Sequence, residues 1–350
     1  MTTPTPLNPT PLAIAYSDVY LDWMLGAGDG EHPTDPVRAQ LATERLLARF
    51  GPSGSSAAVD GGVRVLDPLG VPVERARAEI ESIHDAAYVA RVIDDGVSGE
   101  WLGERPELGL TALAMFAGTM ALVDELMAGR ARVGFNPQGA KHHAARDRSA
   151  GFCVFNDMAW AALEFERQGL RPLYLDWDIH AGDGVQHLLA DTAIPTLSIH
   201  GHSTYPFDPA TIDVVAAGEG RRHTRHDPAR AIYNWGLNVG DGDEHLLQAL
   251  EEARGVIDAY QPGVILLAAG ADGLVGSPLG TGAYTQAGFV AAAGVVAELA
   301  ARHSEGRVLV GGAGGYQPRT ETPRSWANVV GVLHAGLDAA VNLGAEAVTR

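Results

Sequence analysis

Short apolar runs alternate along the chain with longer stretches in which apolar residues return every three or four positions. LAIAY (12–16), VRVLD (63–67), ARVGF (131–135), PLYLD (172–176), PTLSI (195–199), VILLAAG (264–270) and RVLVGG (307–312) have the length and continuity of buried strands. Helical periodicity fills 37–50, 74–93, 110–128, 157–168, 184–190, 243–260, 285–303 and 324–343. Strands apolar on both faces, each followed by a helix, predict an α/β fold with a mostly parallel multi-stranded sheet and helices on both faces. The Pro/Thr-rich residues 1–11 read as a disordered leader, and 12–350 as a single domain, because no linker divides them. The stretch 51–62 reads as a surface loop, and the polar, irregular 201–232 as an excursion from the sheet.

Charge narrows the range of partners. The 350 residues carry 25 Lys+Arg against 43 Asp+Glu, a formal net charge of −18. Such a surface repels nucleic acid and anionic lipid and favours cationic partners. Cys153 is the single cysteine, which excludes an internal disulfide and any thiolate-rich metal site, so a metal must be held by His and carboxylate. The N-terminal segment lacks the basic and apolar regions of a signal peptide, and no uninterrupted apolar run reaches spanning length, so a cytoplasmic protein without a membrane partner is expected. Lysine occurs once, Lys141, against 24 arginines, which reads as codon bias.

The densest chemistry lies in LYLDWDIHAGDG (173–184), where an apolar strand runs into Asp176, Asp178 and His180. On an extended chain i, i+2 and i+4 face the same way, so two carboxylates and an imidazole converge, a set suited to a borderline metal such as zinc. A polar turn entering a helix would explain Asp183 but not the acids before it. In LAAGADG (267–273) a second strand meets Asp272, a type of residue that alone is more often a loop or N-cap residue than a ligand. Asp178, His180 and Asp272 together make a three-ligand set that leaves a fourth position open. His142 and His143 would point opposite ways on an extended strand, although a loop can bring both to one wall. GGAGGY (311–316) follows a strand as a phosphate loop does, but GxxxxGK[ST] is absent.

In this order, the four segments resemble the histone deacetylase superfamily, zinc hydrolases of the arginase-like α/β fold, and in particular its bacterial acetoin-utilisation branch. HHAARDRSAGFCVFND (142–157), LDWDIHAGDGVQ (175–186), EHPTDPVR (31–38), IHDAAYVARV (83–92) and PRSW (323–326) carry the likeness over about 12–340. It implies one Zn2+ per chain on Asp178, His180 and Asp272. It implies His143 as general base and then acid, His142 as its charged neighbour, Asp183 and Asp176 as their carboxylate partners, and Tyr316 as donor to the substrate carbonyl. Gly151 and Phe152 would line an acyl-lysine tunnel, its second aromatic wall falling to Tyr205 or Phe207. Gly314 would face the substrate and Arg38 an internal acetate exit. A structural K+ is implied at Asp176 with the backbone around Asp178, His180, Ser198 and Ile199. The chain departs from the pattern at Ala140 and Ala313, where the family carries glycine, and at 200–215.

The reading that follows is hydrolysis of acetyl-lysine in proteins. A deacetylase of small cationic amides such as acetylpolyamines is the alternative, for which Glu100, Glu104 or Asp95 could provide an acidic gatekeeper. A catalytically idle acyl-lysine binder is the third reading, disfavoured by the intact Asp178, His180, Asp272, His143 and Tyr316.

Overall fold

The computed structural model describes residues 12–26, 32–51, 62–206 and 223–348, and the leader expected at 1–11 lies outside them, as does Phe207. In chain order the elements are β1 (Leu12–Ala15), α1 (Val37–Phe50), β2 (Val63–Leu66), α2 (Val73–Ile83), α3 (Ala86–Ile93), α4 (Pro106–Met127), β3 (Val133–Asn136), α5 (Asp157–Arg167), β4 (Pro172–Asp176) and α6 (Asp183–Leu189). They continue with β5 (Thr196–Gly201), β6 (His223–Asp227), β7 (Ile232–Leu237), α7 (Asp243–Tyr260), β8 (Val264–Ala268), α8 (Gln286–His303), β9 (Val308–Gly311) and α9 (Glu321–Val348). The strands form one sheet in the order β2-β1-β3-β9-β8-β4-β5-β7-β6, parallel throughout except that β6 runs against β7.

Both faces are covered, which is why the strands are apolar at consecutive positions. Leu173 and Leu175 of β4 with Ile265 and Leu267 of β8 pack into the layer of α1, α7, α8 and α9. Tyr174, Leu266 and Leu309 face the layer of α2 to α5. Helix α4 is long and apolar enough by length and composition to cross a bilayer, yet 78% of that window is buried inside the fold. It is the central helix of its layer.

Two further expectations are corrected. The stretch 74–93 is two helices, broken where His84 turns extended (φ −116°, ψ 155°) and its ring is drawn to the loop at 144–156. The excursion at 201–232 returns to the sheet, since β6 is an antiparallel edge strand and β7 a parallel one, both too polar or aromatic to stand out as apolar runs.

The topology positions the site. From β4 the chain proceeds to β5 on one side, and from β8 to β9 on the other, so the carboxyl ends of β4 and β8 flank a switch point of the kind that holds ligands in open parallel sheets.

Candidate active site

At this switch point Asp178 and His180 leave the end of β4 while Asp272 leaves the end of β8. All three are buried, and one donor atom from each lies within 4.8 Å of the others. His180 Nδ1 is 2.8 Å from Asp272 Oδ2 and 3.2 Å from Asp178 Oδ1. Backbone amides aim the remaining oxygens: Ile179 N–H donates to Asp272 Oδ1 (3.0 Å), and Gly314 N–H to Asp178 Oδ2 (2.7 Å). A side chain at Gly314 would run into both carboxylates, so glycine is what lets the β9 loop close over them.

Electrostatics identify what this floor attracts. Burial opposes ionisation of Asp178, but the cationic rings of His142 and His180 hold it well below the usual carboxylate range. Asp272 is pushed up to about 6 by burial and by the charge of Asp178. His180 is pushed up to about 11, because the two carboxylates outweigh its burial. The pocket floor therefore draws positive charge, and an oxygen, nitrogen and oxygen donor set fits a divalent borderline metal such as zinc.

The tandem histidines sit on the loop after β3, which is tied down by Asp157. That carboxylate accepts from Ala140 N–H (3.0 Å), Lys141 N–H (2.8 Å) and the Thr119 hydroxyl (2.6 Å). The loop sets both rings on one wall, 4.0 Å apart. Each has its own carboxylate: His142 Nδ1 lies 2.9 Å from Asp176 Oδ2, and His143 Nδ1 lies 2.7 Å from Asp183 Oδ1. Two charged rings this close would repel. Burial lowers the pKa of His142, but Asp176 and Asp178 overcome it and raise it to about 9. Burial and the charge of His142 push His143 down to about 4. His142 is thus the cation, while His143 is neutral, with Nδ1–H directed at Asp183 and the Nε2 lone pair left to accept a proton.

A pocket of ≈ 490 Å³ opens over this floor. Phe152 and Tyr205 form two of its walls, with Tyr316 between Phe152 and His180 at 6.3 Å from each ring. Burial and the charges of Asp272 and Asp178 hold the Tyr316 phenol well above its ordinary pKa, so it stays a donor. Gly151, at φ +54°, lies flat against the His143 ring, where a side chain would collide. Of the acidic gatekeeper candidates only Glu100 lines the pocket, its Oε2 accepting from Phe152 N–H (2.6 Å), whereas Glu104 and Asp95 are exposed elsewhere.

The other expected residues fall around this centre. Arg38 is buried and donates from Nη1 to Gly315 O (2.6 Å). The β4–β5 register sets Asp176 beside Ser198, next to Ile199. There Asp176 accepts from Asp178 N–H (2.9 Å) and the Tyr174 hydroxyl (2.6 Å). Ala140 and Ala313 both adopt left-handed backbone, φ 58° and 55°, where glycine is the usual choice. Hydrogen bonds from Ala140 N–H to Asp157 and from Ala313 N–H to Gly139 O hold them there.

Residues that pattern alone does not single out also serve the site. Asp157 anchors the histidine loop, and only its place in the GFC..ND motif hints at it. His84 braces the same loop from the end of α2. Lys141 lies inside the site and not on the surface, and its lack of company in the composition is the only signal.

Residues 32–333 match the family model of the histone deacetylase domain. The chain is 32% identical over 331 residues to the acetoin utilization protein AcuC of Bacillus subtilis (strain 168), covering 90% of this chain and 80% of that protein. It is 30% identical over 226 residues to histone deacetylase 8 of Xenopus tropicalis, covering 63% of this chain and 57% of that protein. The fold matches the crystal structure of the HDA15 HD domain with a TM-score of 0.76 at 22% identity, over 93% of this chain and 90% of that one.

Proposed function

The chain belongs to the histone deacetylase family, and from that premise we propose a zinc-dependent hydrolase that removes acetyl groups from Nε-acetyl-lysine in proteins. The observation that carries the proposal is the convergence of three sets on one pocket: the Asp178, His180 and Asp272 donors, the neutral His143 paired to Asp183, and the protonated Tyr316. A divalent ion on the three donors would polarise the substrate carbonyl and lower the pKa of the attacking water.

The chain's own residues do the rest. His143 Nε2 takes the proton of the attacking water, and Asp183 steadies the imidazolium that forms. The Tyr316 hydroxyl donates to the carbonyl oxygen as negative charge gathers on it, and the cationic His142 adds its field to the same side. His143 then returns the proton to the amine as the C–N bond breaks. Phe152 and Tyr205 shed water from the methylene stem of the lysine, at about 0.8 kcal/mol per buried CH₂.

We further propose a structural K+ at Asp176 and Ser198, a cytoplasmic location, and a single domain over 12–350. Glu100 favours a second reading, a cationic small-molecule amide such as an acetylpolyamine, because it places a carboxylate in the pocket wall. Metal analysis of the purified protein and kcat/KM for acetyl-lysine peptides beside N-acetylputrescine test both. Protein without stoichiometric divalent metal and without peptide turnover would refute the first reading, and a clear preference for N-acetylputrescine would favour the second.

A further inference from the structure

Tyr316 lines both the catalytic pocket of ≈ 490 Å³ and an outer groove of ≈ 360 Å³, so cavities lie against it on two sides. Its ring meets Phe152 and His180 in edge contacts, 6.3 Å from each. Gly314 and Gly315 lead into it, and glycine leaves the backbone free to turn. Side-chain packing therefore does little to fix the phenol, and the backbone on either side of it has to. On the N-terminal side Arg38 Nη1–H donates to Gly315 O (2.6 Å). On the C-terminal side the Thr322 hydroxyl oxygen accepts from Gln317 N–H (3.1 Å), and Thr322 N–H donates in turn to Gln317 O (3.2 Å). This reciprocal pair fastens the residue after the tyrosine to the first turn of α9. Thr322 is fully buried, and a side chain at Gly315 would strike its methyl group, so the threonine touches the chain both before and after Tyr316.

The same helix turn reaches the other side of the floor. Trp326, one helical turn beyond Thr322 and so on the same face of α9, donates from Nε1 to Ala269 O (3.0 Å), where the chain leaves β8 for Asp272. Its ring stands against Gly312, at the start of the loop that carries Tyr316. The Arg38 guanidinium that holds Gly315 lies over the same ring, 5.3 Å from its centroid, so both ties to the tyrosine end on this turn. We infer that the first turn of α9 is the jig that sets the Tyr316 hydroxyl against the floor, with Thr322 as a positioning residue of the reaction. The inference rests on the amide-hydrolase reading above, in which Tyr316 donates to the carbonyl oxygen. Thr322 lines neither cavity, so its effect reaches the reaction through the phenol. A misplacement of about 1 Å in such a group costs on the order of 10²-fold in rate. Valine has the shape of threonine and keeps the apolar contact with Gly315, but it offers Gln317 N–H no acceptor.

The test is a double-mutant cycle on the metal-loaded enzyme with an acetyl-lysine peptide, read beside amide hydrogen exchange over 312–320. Thr322→Val should lower kcat about tenfold with KM changed by less than about twofold. Thr322→Ser, which restores the acceptor, should recover the wild-type rate to within about twofold. In the Tyr316→Phe background Thr322→Val should have less than about a twofold further effect, because the hydroxyl it positions is gone. Exchange over 312–320 should rise at least about fivefold in Thr322→Val, with metal or without. An equal loss from Thr322→Val in both backgrounds overturns the inference, since the threonine would then act on the fold at large. Unchanged kcat in Thr322→Val, or exchange indifferent to it, does the same. If Tyr316→Phe is impaired and Thr322→Val is not, the inference falls while the amide-hydrolase reading stands. If Tyr316→Phe turns over normally, or the wild-type enzyme cleaves no acyl-lysine peptide, that reading falls and takes the inference with it. Should Thr322→Val fail to fold, Thr322→Ala carries the same comparison.

Discussion

The floor of the pocket and its rim are built on different principles. On the floor, Asp178 and Asp272 are fully buried at the ends of central parallel strands, and backbone amides from the 179 and 314 loops aim their oxygens. On the rim, Tyr205 is 37% exposed and Leu279 42% exposed, both on loops, and the segment beside Tyr205 departs from the family pattern. Groups that must hold position to a fraction of an ångström are carried by the sheet, whereas groups that choose among substrates are carried by segments free to vary. The contrast implies a steep gradient of mutational cost from floor to rim.

The steepest step is expected at the proposed metal donors. Asp178→Ala and His180→Ala should each purify with the fold intact by circular dichroism, without stoichiometric metal, and with activity reduced by about 10³-fold or more. Retention of one metal per chain by either variant would show that the floor is organised around other residues.

Next comes the proposed donor to the carbonyl oxygen. Tyr316→Phe should lower kcat by about 10²–10³ and change KM little, because the hydroxyl matters most in the transition state. Unaltered turnover would move Tyr316 from the floor to the rim in functional terms.

A third expectation concerns stability and joins the two regions, since His84 braces the loop that runs from the histidines to Phe152. Its Nδ1–H donates to Ala145 O (2.8 Å) and its Nε2 accepts from Asn156 N–H (2.9 Å), so only the neutral ring fits. Burial, the main cause, pushes its pKa down to about 4. The folded-state value is thus depressed. Its contribution is complete above the ordinary histidine value near 6.5 and is lost as pH falls through about 4, on the order of 3 kcal/mol over that window. His84→Gln, which can make both bonds without titrating, should flatten the acid limb of a Tm-against-pH curve. An acid limb identical to wild type would remove His84 from that role.

The smallest effect belongs to the rim. Tyr205→Leu keeps an apolar wall and should change kcat/KM for acetyl-lysine peptides by less than about tenfold, which is under about 1.4 kcal/mol. A loss comparable to that of Tyr316→Phe would abolish the distinction between floor and rim.

Much of the floor is legible in the amino-acid sequence. Strands β1, β4 and β8 and helices α1 and α7 stand within a residue or two of where apolar periodicity sets them. Where periodicity fails, the cause is tertiary. The break at His84 arises because a distant loop recruits its imidazole, and β6 is an edge strand whose neighbours, not its own composition, make it one. Lys141 reads as codon bias, because nothing local distinguishes a surface lysine from one sealed beneath the catalytic floor.

What the chain determined by itself is whatever depends on local spacing. Asp176, Asp178 and His180 are set close together by their two-residue spacing at and just past the end of β4, and one cysteine in 350 residues leaves only oxygen and nitrogen donors for a metal. What only the tertiary structure decided is whatever depends on distant segments meeting. Asp272 reaches His180 across 92 residues because β8 docks beside β4. The assignment of charge to His142 and neutrality to His143 follows from which carboxylate each ring meets and how near the rings lie. Lys141 faces Arg38 across one small cavity only because the loop after β3 folds inward over α1. Spacing along a chain is a property of bond geometry, but burial and field are properties of the whole fold, and it is these that set a site's chemistry.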